Sequence, residues 1–318
     1  MDIKIKKILI IIPHRGIGDV IYHLPLLRSL YSHFNSKINI ISNSVNKCKE
    51  ILHKENFIKK IIYFNFNRGN LYFYIKNILK LRKIINNFKA DIVILTDPSK
   101  RLVIPVYLSN SKIKIVSGVN SLFDFILNKK SYRNKFLAHH IKNLIYLLKI
   151  NHYKHDYQLN YLLNKNDVKN FIKLKKPWFF LNLDSHHNHN NWNIDYYKKI
   201  IEKLENKTIF INTSPKNINL IKFLKQTIDN KKNIIITSKF SIKKIISIIS
   251  NCKVIIGNES GPICLASALN KKVFSIYNQN SSKPESKVIS NNTEIFNSSK
   301  LNNDDILKII LKKIKKYY

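Results

Sequence analysis

The sequence predicts an α/β fold made of two Rossmann-like domains in tandem, facing each other across a central cleft. Continuous apolar segments of strand length alternate with amphipathic segments of helix length, the pattern of parallel sheets covered by helices on both faces. The alternation runs once, breaks in a polar stretch near residue 150, and starts again. Four of the six glycines, Gly16, Gly18, Gly257 and Gly261, fall at two strand-to-helix corners, one in each half.

In the first half, "KILIIIP" reads as a buried strand and "GDVIYHLPLLRSLYSHF" as a helix that Pro25 kinks or whose regular part it opens. "KINIISN" is a second strand, followed by a helix in "VNKCKEILHKE". "KKIIYFN" is a strand, and "LYFYIKNILKLRKIINNF" a helix with apolar residues three and four apart. "ADIVILTD" and "IKIVSG" are further strands, and a helix-rich passage runs from Phe136 to Asn151. The polar "NHYKHDYQLNYLLNKND" then sets the domain boundary between residues 165 and 166. In the second half, "WFFLNLD", "KTIFINTS", "NIIITS", "KVIIGN" and "KVFSIYN" are strands. Helices separate them in "NIDYYKKIIEKLEN", "NINLIKFLKQTID", "SIKKIISIIS" and "GPICLASAL". The last helix, "NDDILKIILKKIKKYY", carries a stripe through Ile306, Ile310 and Ile314 that is expected to pack on its own domain or back on the first.

An apolar fraction of 44% is that of a folded chain, and 318 residues suffice for two cores. The net charge of +37 suits an anionic partner. Lysines, however, are spread along the whole chain and outnumber arginines, whose planar fork is the better phosphate reader. The charge is therefore assigned mainly to an Ile/Lys/Asn codon bias, which leaves peripheral contact with an anionic inner-membrane surface open. Nucleic acid is not expected, because no basic groove with interleaved aromatics is visible. The three cysteines, Cys48, Cys252 and Cys264, lack metal-ligand spacing and suit a reducing, cytoplasmic setting. In "KKILIIIPHRGIGD" Pro, His and Arg end the apolar run, so no secretory signal is read, and no charge-free stretch reaches transmembrane length.

In open α/β sheets, ligands sit beyond the carboxyl ends of the strands, where both glycine corners lie. Glycine lets the backbone approach a ligand, and the following helix start favours phosphate. The first corner, "HRGIGDV", is not a dinucleotide fingerprint. Its Asp19 is either a general base held ionised at a helix start or a plain capping residue. At the second, "GNESGP", Pro262 suits the first helical position and Ser260 caps or meets phosphate, while Glu259 accepts from sugar hydroxyls or simply faces solvent. His186, His187 and His189 in "DSHHNHNNW" lack the carboxylate or thiol that would complete a metal site, and Trp192 reads as packing at a helix entrance.

At these residues the chain resembles glycosyltransferase family 9, the heptosyltransferases that build bacterial lipopolysaccharide. The family's early Gly-Asp motif with a Leu-Pro in the following helix is similar to "GDVIYHLPLLRSL". Its late motif resembles "IIGNESGPICLASALNKKVFSIYN", and its middle strand–loop–helix motif resembles "WFFLNLDSHHNHNNWNIDYYKKIIEKL". The resemblance implies a GT-B fold and inverting transfer from a nucleotide-sugar donor, an ADP-sugar favoured, to a lipid-linked saccharide. It implies Asp19 as the base, with Gly16 and Gly18 in the acceptor-side turn. It also implies donor contacts from Ser185, His186, Asn190, Glu259, Ser260 and Gly261, with no cofactor. Asn190 stands where the family has Lys, Asn193 where it has Pro, Glu259 where it has Asp, and Cys264 where many members have His. The absence of an Asp-x-Asp motif suggests a metal-independent reaction. The competing reading is a non-catalytic GT-B protein that binds glycolipid or nucleotide sugar. A GT-B enzyme of another kind, such as a sugar-nucleotide epimerase, is open on fold alone.

Overall fold

Isoleucine dominates the middle strands of the first sheet, ILIII and IVIL, whereas the middle strands of the second, CKVIIGN and WFFLN, mix Ile and Val with Trp, Phe and Leu. β-Branched and aromatic side chains alike favour the pleated, half-buried surface. The computed structural model describes residues 5–65, 70–97, 99–117, 129–131, 137–150, 156–161, 165–185, 191–215, 217–228, 232–277 and 289–317. The chain divides into two compact units, Met1–Tyr157 and Gln158–Tyr318.

The first unit has six parallel strands: β1 (Ile8–Ile12), β2 (Ile38–Ser42), β3 (Ile58–Tyr63), β4 (Ile92–Leu95), β5 (Ile113–Ser117) and β6 (Lys129–Ser131). Their order is β3-β2-β1-β4-β5-β6, so the chain reverses its direction of travel between β1 and β4. The helices are α1 (Ile17–Tyr22), α2 (Leu24–Phe34), α3 (Cys48–Leu52), α4 (Leu71–Phe88), α5 (Lys100–Tyr107) and α6 (Leu137–Leu147). The helix expected across "GDVIYHLPLLRSLYSHF" is two helices that meet at His23. Pro25, in the first turn of α2, has no N–H for the carbonyl of Ile21, and its ring crowds that turn. One core face joins Leu9, Ile11, Val93 and Leu95 to Leu81 and Ile85 of α4 and Val103 of α5.

The second unit repeats the plan with β7 (Trp178–Asn182), β8 (Thr208–Asn212), β9 (Ile234–Ile236), β10 (Cys252–Asn258), β11 (Lys272–Tyr277) and β12 (Thr293–Asn297). All are parallel, in the order β12-β11-β10-β7-β8-β9, and here the reversal falls between β7 and β10. Its helices are α7 (Lys165–Val168), α8 (Ile194–Lys203), α9 (Ile218–Ile228), α10 (Ile242–Asn251), α11 (Gly261–Ala268) and α12 (Asn303–Ile314). Ile306, Ile310 and Ile314 of α12 are fully buried in this unit's core with Tyr197 and Ile200 of α8. Each such burial is worth about 1.5–3 kcal/mol. The Asn302 side chain caps α12, acids occupy its first turn and lysines its last, as the helix dipole favours.

Besides the single-turn α7 in the polar boundary stretch, three elements carry no clear sequence signal. β6 is three polar residues, β12 lies at a sheet edge, and α5 is interrupted by Pro105. All three cysteines are free and buried, and burial pushes the Cys48 thiol up to about 12. Among the described residues no helix is long and apolar enough to cross a membrane.

Candidate functional site

Open α/β sheets bind ligands where the strand order reverses, at the carboxyl ends of the strands. In the first unit that point is the loop Pro13–Gly16 after β1 and the loop after β4. Asp19 is the third residue of α1, and its Oδ2 accepts the Gly16 N–H at 2.8 Å. It does cap the helix, as its position allowed. A Cβ at Gly16 would lie 2.7 Å from that oxygen, so a larger residue there would push the carboxyl aside. The carboxyl is not simply held ionised. Burial raises its proton affinity above the ordinary value, and His14 and the Gly16 N–H only partly oppose this. His14 Nε2 lies 3.8 Å from Asp97 Oδ2, while its buried Nδ1 has no hydrogen-bond partner among the described residues.

Beside this loop a cavity of about 470 Å³ opens at the carboxyl ends of β1, β2 and β4, lined by Arg15, Ser42, Asn43, Asp97, Ser99 and Arg101 among others. Arginine is scarce in this lysine-rich chain, and two of the four described arginines are tied into the structure. Arg28 pairs with Glu55 at 3.2 Å and Asp156 at 2.8 Å, and Arg82 donates to the Leu108 carbonyl at 2.7 Å. The other two, Arg15 and Arg101, are exposed at the cavity.

The second unit's reversal point is built mainly from asparagine. β7, β8 and β10 each end on one: Asn182, Asn212 and Asn258. Asn182 is buried, and its Nδ2 lies 2.7 Å from the Asp184 carbonyl and 2.9 Å from Ser260 Oγ. A carbonyl only accepts, so the Asp184 contact fixes this face of the amide as NH₂. An amide nitrogen cannot accept a proton, so Ser260 accepts from it and its own O–H points elsewhere. The far face of the amide closes the chain, with Asn212 Nδ2 donating to Asn182 Oδ1 at 2.7 Å.

Ser260 is the N-cap residue of α11 by position, but its side chain makes no capping bond and its hydroxyl is left as a directed donor. Pro262 sits second in α11, after Gly261 rather than first. The first ladder bond joins the Cys264 N–H to the Ser260 carbonyl at 3.0 Å, leaving the amides of Gly261 and Ile263 ahead of the ladder. Gly257 serves packing. A Cβ there would lie 2.4 Å from the Asn182 carbonyl oxygen, which pairs with it across the sheet.

Asn258 ties both ends of the loop after β7 to this corner, donating to the Leu183 carbonyl at 2.5 Å and accepting from Trp192 N at 2.8 Å. Ser185 lies in the same neck, where its N–H donates to Asn191 at 2.8 Å. Hydrogen bonds through Asn182 and Asn258 thus link the start of the loop that carries Ser185 to the Ser260–Gly261 turn. Glu259 is half-buried on the same turn, its N–H donating to the Ile276 carbonyl at 3.0 Å. His186 and Asn190 lie outside the described residues, as do His187 and His189. Trp192 packs as expected, stacked on Tyr196 and donating to Asn303 at 2.8 Å. Cys264 is buried in α11 and does not line the turn as an exposed side chain. Asp184 is engaged by Thr213, by the Ser214 N–H at 2.7 Å and by Asn217 at 3.1 Å. Among the described residues no cluster of three or more His, Cys, Asp or Glu is placed to hold a metal.

The family model for glycosyltransferase family 9 (heptosyltransferase) matches residues 78–312. The chain belongs to that family. Among solved structures, a family 9 glycosyltransferase from Veillonella parvula is similar with a TM-score of 0.78 at 16% identity, over 100% of this chain and 91% of that one. The E. coli ADP-heptose LPS heptosyltransferase II gives 0.76 at 15% identity, over 97% and 99%. The E. coli heptosyltransferase WaaC with ADP gives 0.75 at 13% identity, over 98% and 100%. A UDP-GlcNAc 2-epimerase from Methanocaldococcus jannaschii is less similar, at 0.58 with 18% identity, over 97% and 92%. No curated protein sequence matches. The fold is GT-B, and membership in family 9 makes the protein a glycosyltransferase in type. The match spans the Asn182–Ser260 corner but begins well after Asp19.

Proposed function

We propose that the protein is an inverting, metal-independent glycosyltransferase. It moves a sugar, heptose or a related one, from a nucleotide-sugar donor to a lipid-linked saccharide of the lipopolysaccharide type. The observation that carries this reading is the Ser260 corner. A hydroxyl whose proton Asn182 cannot accept, beside the amides of Gly261 and Ile263 at the start of α11, is a donor set suited to a diphosphate. The likeness to a heptosyltransferase structure with ADP supports an ADP-sugar as first candidate.

In the reaction, the acceptor hydroxyl oxygen bonds to the anomeric carbon as that carbon's bond to the donor phosphate oxygen breaks. The nucleoside diphosphate leaves with the electron pair, and attack from the opposite face inverts the centre. The acceptor proton passes to the Asp19 carboxylate, whose raised proton affinity suits a base working near neutrality. Charge building on the diphosphate is met by Ser260 and the α11 amides, with Ser185 in the loop after β7 as a further donor contact and Glu259, beside Ser260, accepting from hydroxyls of the donor. Arg15 and Arg101 support an acceptor that carries an acidic group, with Gly16 and Gly18 shaping the turn beside it.

Asn190 and Cys264, which depart from the family pattern, favour one second reading: a non-catalytic protein that binds glycolipid or nucleotide sugar. Thermal-shift screening of ADP-, UDP-, GDP- and CMP-sugars, with Ser260→Ala alongside, tests the site, because a ligand of the native state raises apparent stability. An ADP-sugar is expected to raise the melting temperature of the wild type more than that of the variant. Equal shifts in both would remove Ser260 from the donor site. A shift without transfer to any saccharide acceptor would favour the second reading.

A further inference from the structure

We infer that the solvent side of α4 is a docking surface for an anionic lipid bilayer. At about 100° per residue, the core-facing arc of α4 is centred on Tyr74, Ile78, Leu81 and Ile85. The apolar arc does not stop where burial stops. It continues by roughly another 100° through Leu71, Ile75, Leu79 and Tyr72, of which Leu71 is 71% and Tyr72 67% exposed. Leu71, Ile75 and Leu79 are spaced four apart, so they form one stripe rather than scattered exposed residues. The stripe leads to Arg82, whose Nε holds the Leu108 carbonyl at 2.7 Å, where Tyr107 and Leu108 add exposed apolar surface.

The charge around this stripe selects the occupant. Exposed Lys76, Lys80 and Lys83 form a row along its outer border. Residues 56–90 contain eight basic and no acidic side chains. A second protein surface of the same composition would be repelled, whereas an apolar stripe edged by lysines is the pattern of an interfacial helix on anionic lipid. Tyr72 and Tyr107 have the amphipathic rings that favour the headgroup level. The inner face of the same helix places Leu81 in the wall of the 470 Å³ cavity. The stripe begins ten residues away, about 15 Å along the helix. A saccharide on a lipid anchor would then reach the cavity from the bilayer without leaving it. The surface itself does not depend on the transfer reading.

The test is co-sedimentation of the full chain with phosphatidylcholine vesicles, with and without phosphatidylglycerol. The wild type is expected to bind the anionic vesicles, and Leu71→Ser/Ile75→Ser/Leu79→Ser to weaken binding by at least about tenfold at unchanged melting temperature. Lys76→Gln/Lys80→Gln/Lys83→Gln should weaken it by several-fold and flatten its salt dependence. A charge-matched control on α12 and the turn that follows it, Lys308→Gln/Lys312→Gln/Lys315→Gln, should bind within about twofold of wild type, because diffuse charge alone is weak. Three results would each overturn the inference. The wild type fails to bind anionic vesicles; the control loses as much as the α4 lysine variant; or the wild type is a dimer that the serine variant dissolves.

Discussion

The two sheets share one topology, yet their reversal points are furnished with opposite chemistry. In the first unit the corner after β1 gathers titratable groups: His14, Asp19, Asp97 and the exposed Arg15 and Arg101. In the second, neutral amides run from Asn212 through Asn182 to Ser260; of the carboxylates there, Asp184 is tied to Thr213, Ser214 and Asn217, and Glu259 lies half-buried beside Ser260. A group that must exchange a proton needs a tunable affinity, which burial gives Asp19. A group that must hold a fixed anion needs donors that do not titrate, which the asparagine chain supplies. Duplicating a fold therefore does not duplicate its chemistry.

The largest effect that would break this contrast is at Asp19. Asp19→Asn is expected to lower turnover by about 10²–10⁴-fold, the usual size of a lost general base. The fold should survive, because an asparagine oxygen still accepts the Gly16 N–H. Folding raises the proton affinity of the carboxyl, so this group's contribution to the native state grows as the pH falls through the raised folded value and is complete only below the ordinary aspartate value. At neutral pH its buried charge counts against folding. The variant should therefore melt at or above the wild-type temperature at pH 7. A clear drop there would mean that the carboxylate is chiefly structural. In the wild type, the acid limb of the turnover profile should lie above the ordinary aspartate value, and a limb at or below it would remove burial as the tuning device.

Next in size is Gly257→Ala, which sets a Cβ against the backbone of a central strand with no flexible side chain to yield. It should cost about 3 kcal/mol of stability by chemical denaturation, and a cost near zero would show that the β7–β10 register relaxes freely. Asn182→Ala removes the hub of the amide chain and leaves buried partners unsatisfied. A loss of about 1–3 kcal/mol is expected, together with weaker nucleotide binding. If nucleotide affinity is untouched, the chain is scaffolding alone. Ser260→Ala should be the mildest, close to neutral for stability and costing about 1 kcal/mol in nucleotide affinity.

The doubly wound plan was legible because continuous Ile/Val runs alternating with amphipathic helices admit few other packings. What was missed lacked that signal. "KKS" of β6 has no apolar residue, and Pro105 hides α5 because it removes one rung of a helix that tertiary packing retains. At the site, the backbone positions of Asp19, Ser260 and Gly261 were readable from glycine placement. Their hydrogen-bond roles were not. Asn182, Asn212 and Asn258 look like ordinary turn residues after strands, and only pairing β8, β7 and β10 side by side turns them into one chain that fixes the direction of the Ser260 hydroxyl. In the sequence Gly257 reads as part of a ligand corner, but its need is close strand packing, which depends on a neighbour 75 residues away in sequence.

The division of labour between the corners is tested most directly by calorimetric titration of ADP into wild type, Asp19→Asn and Ser260→Ala. The account predicts wild-type affinity in Asp19→Asn and about fivefold weaker binding in Ser260→Ala. Loss of affinity in Asp19→Asn with none in Ser260→Ala would contradict it.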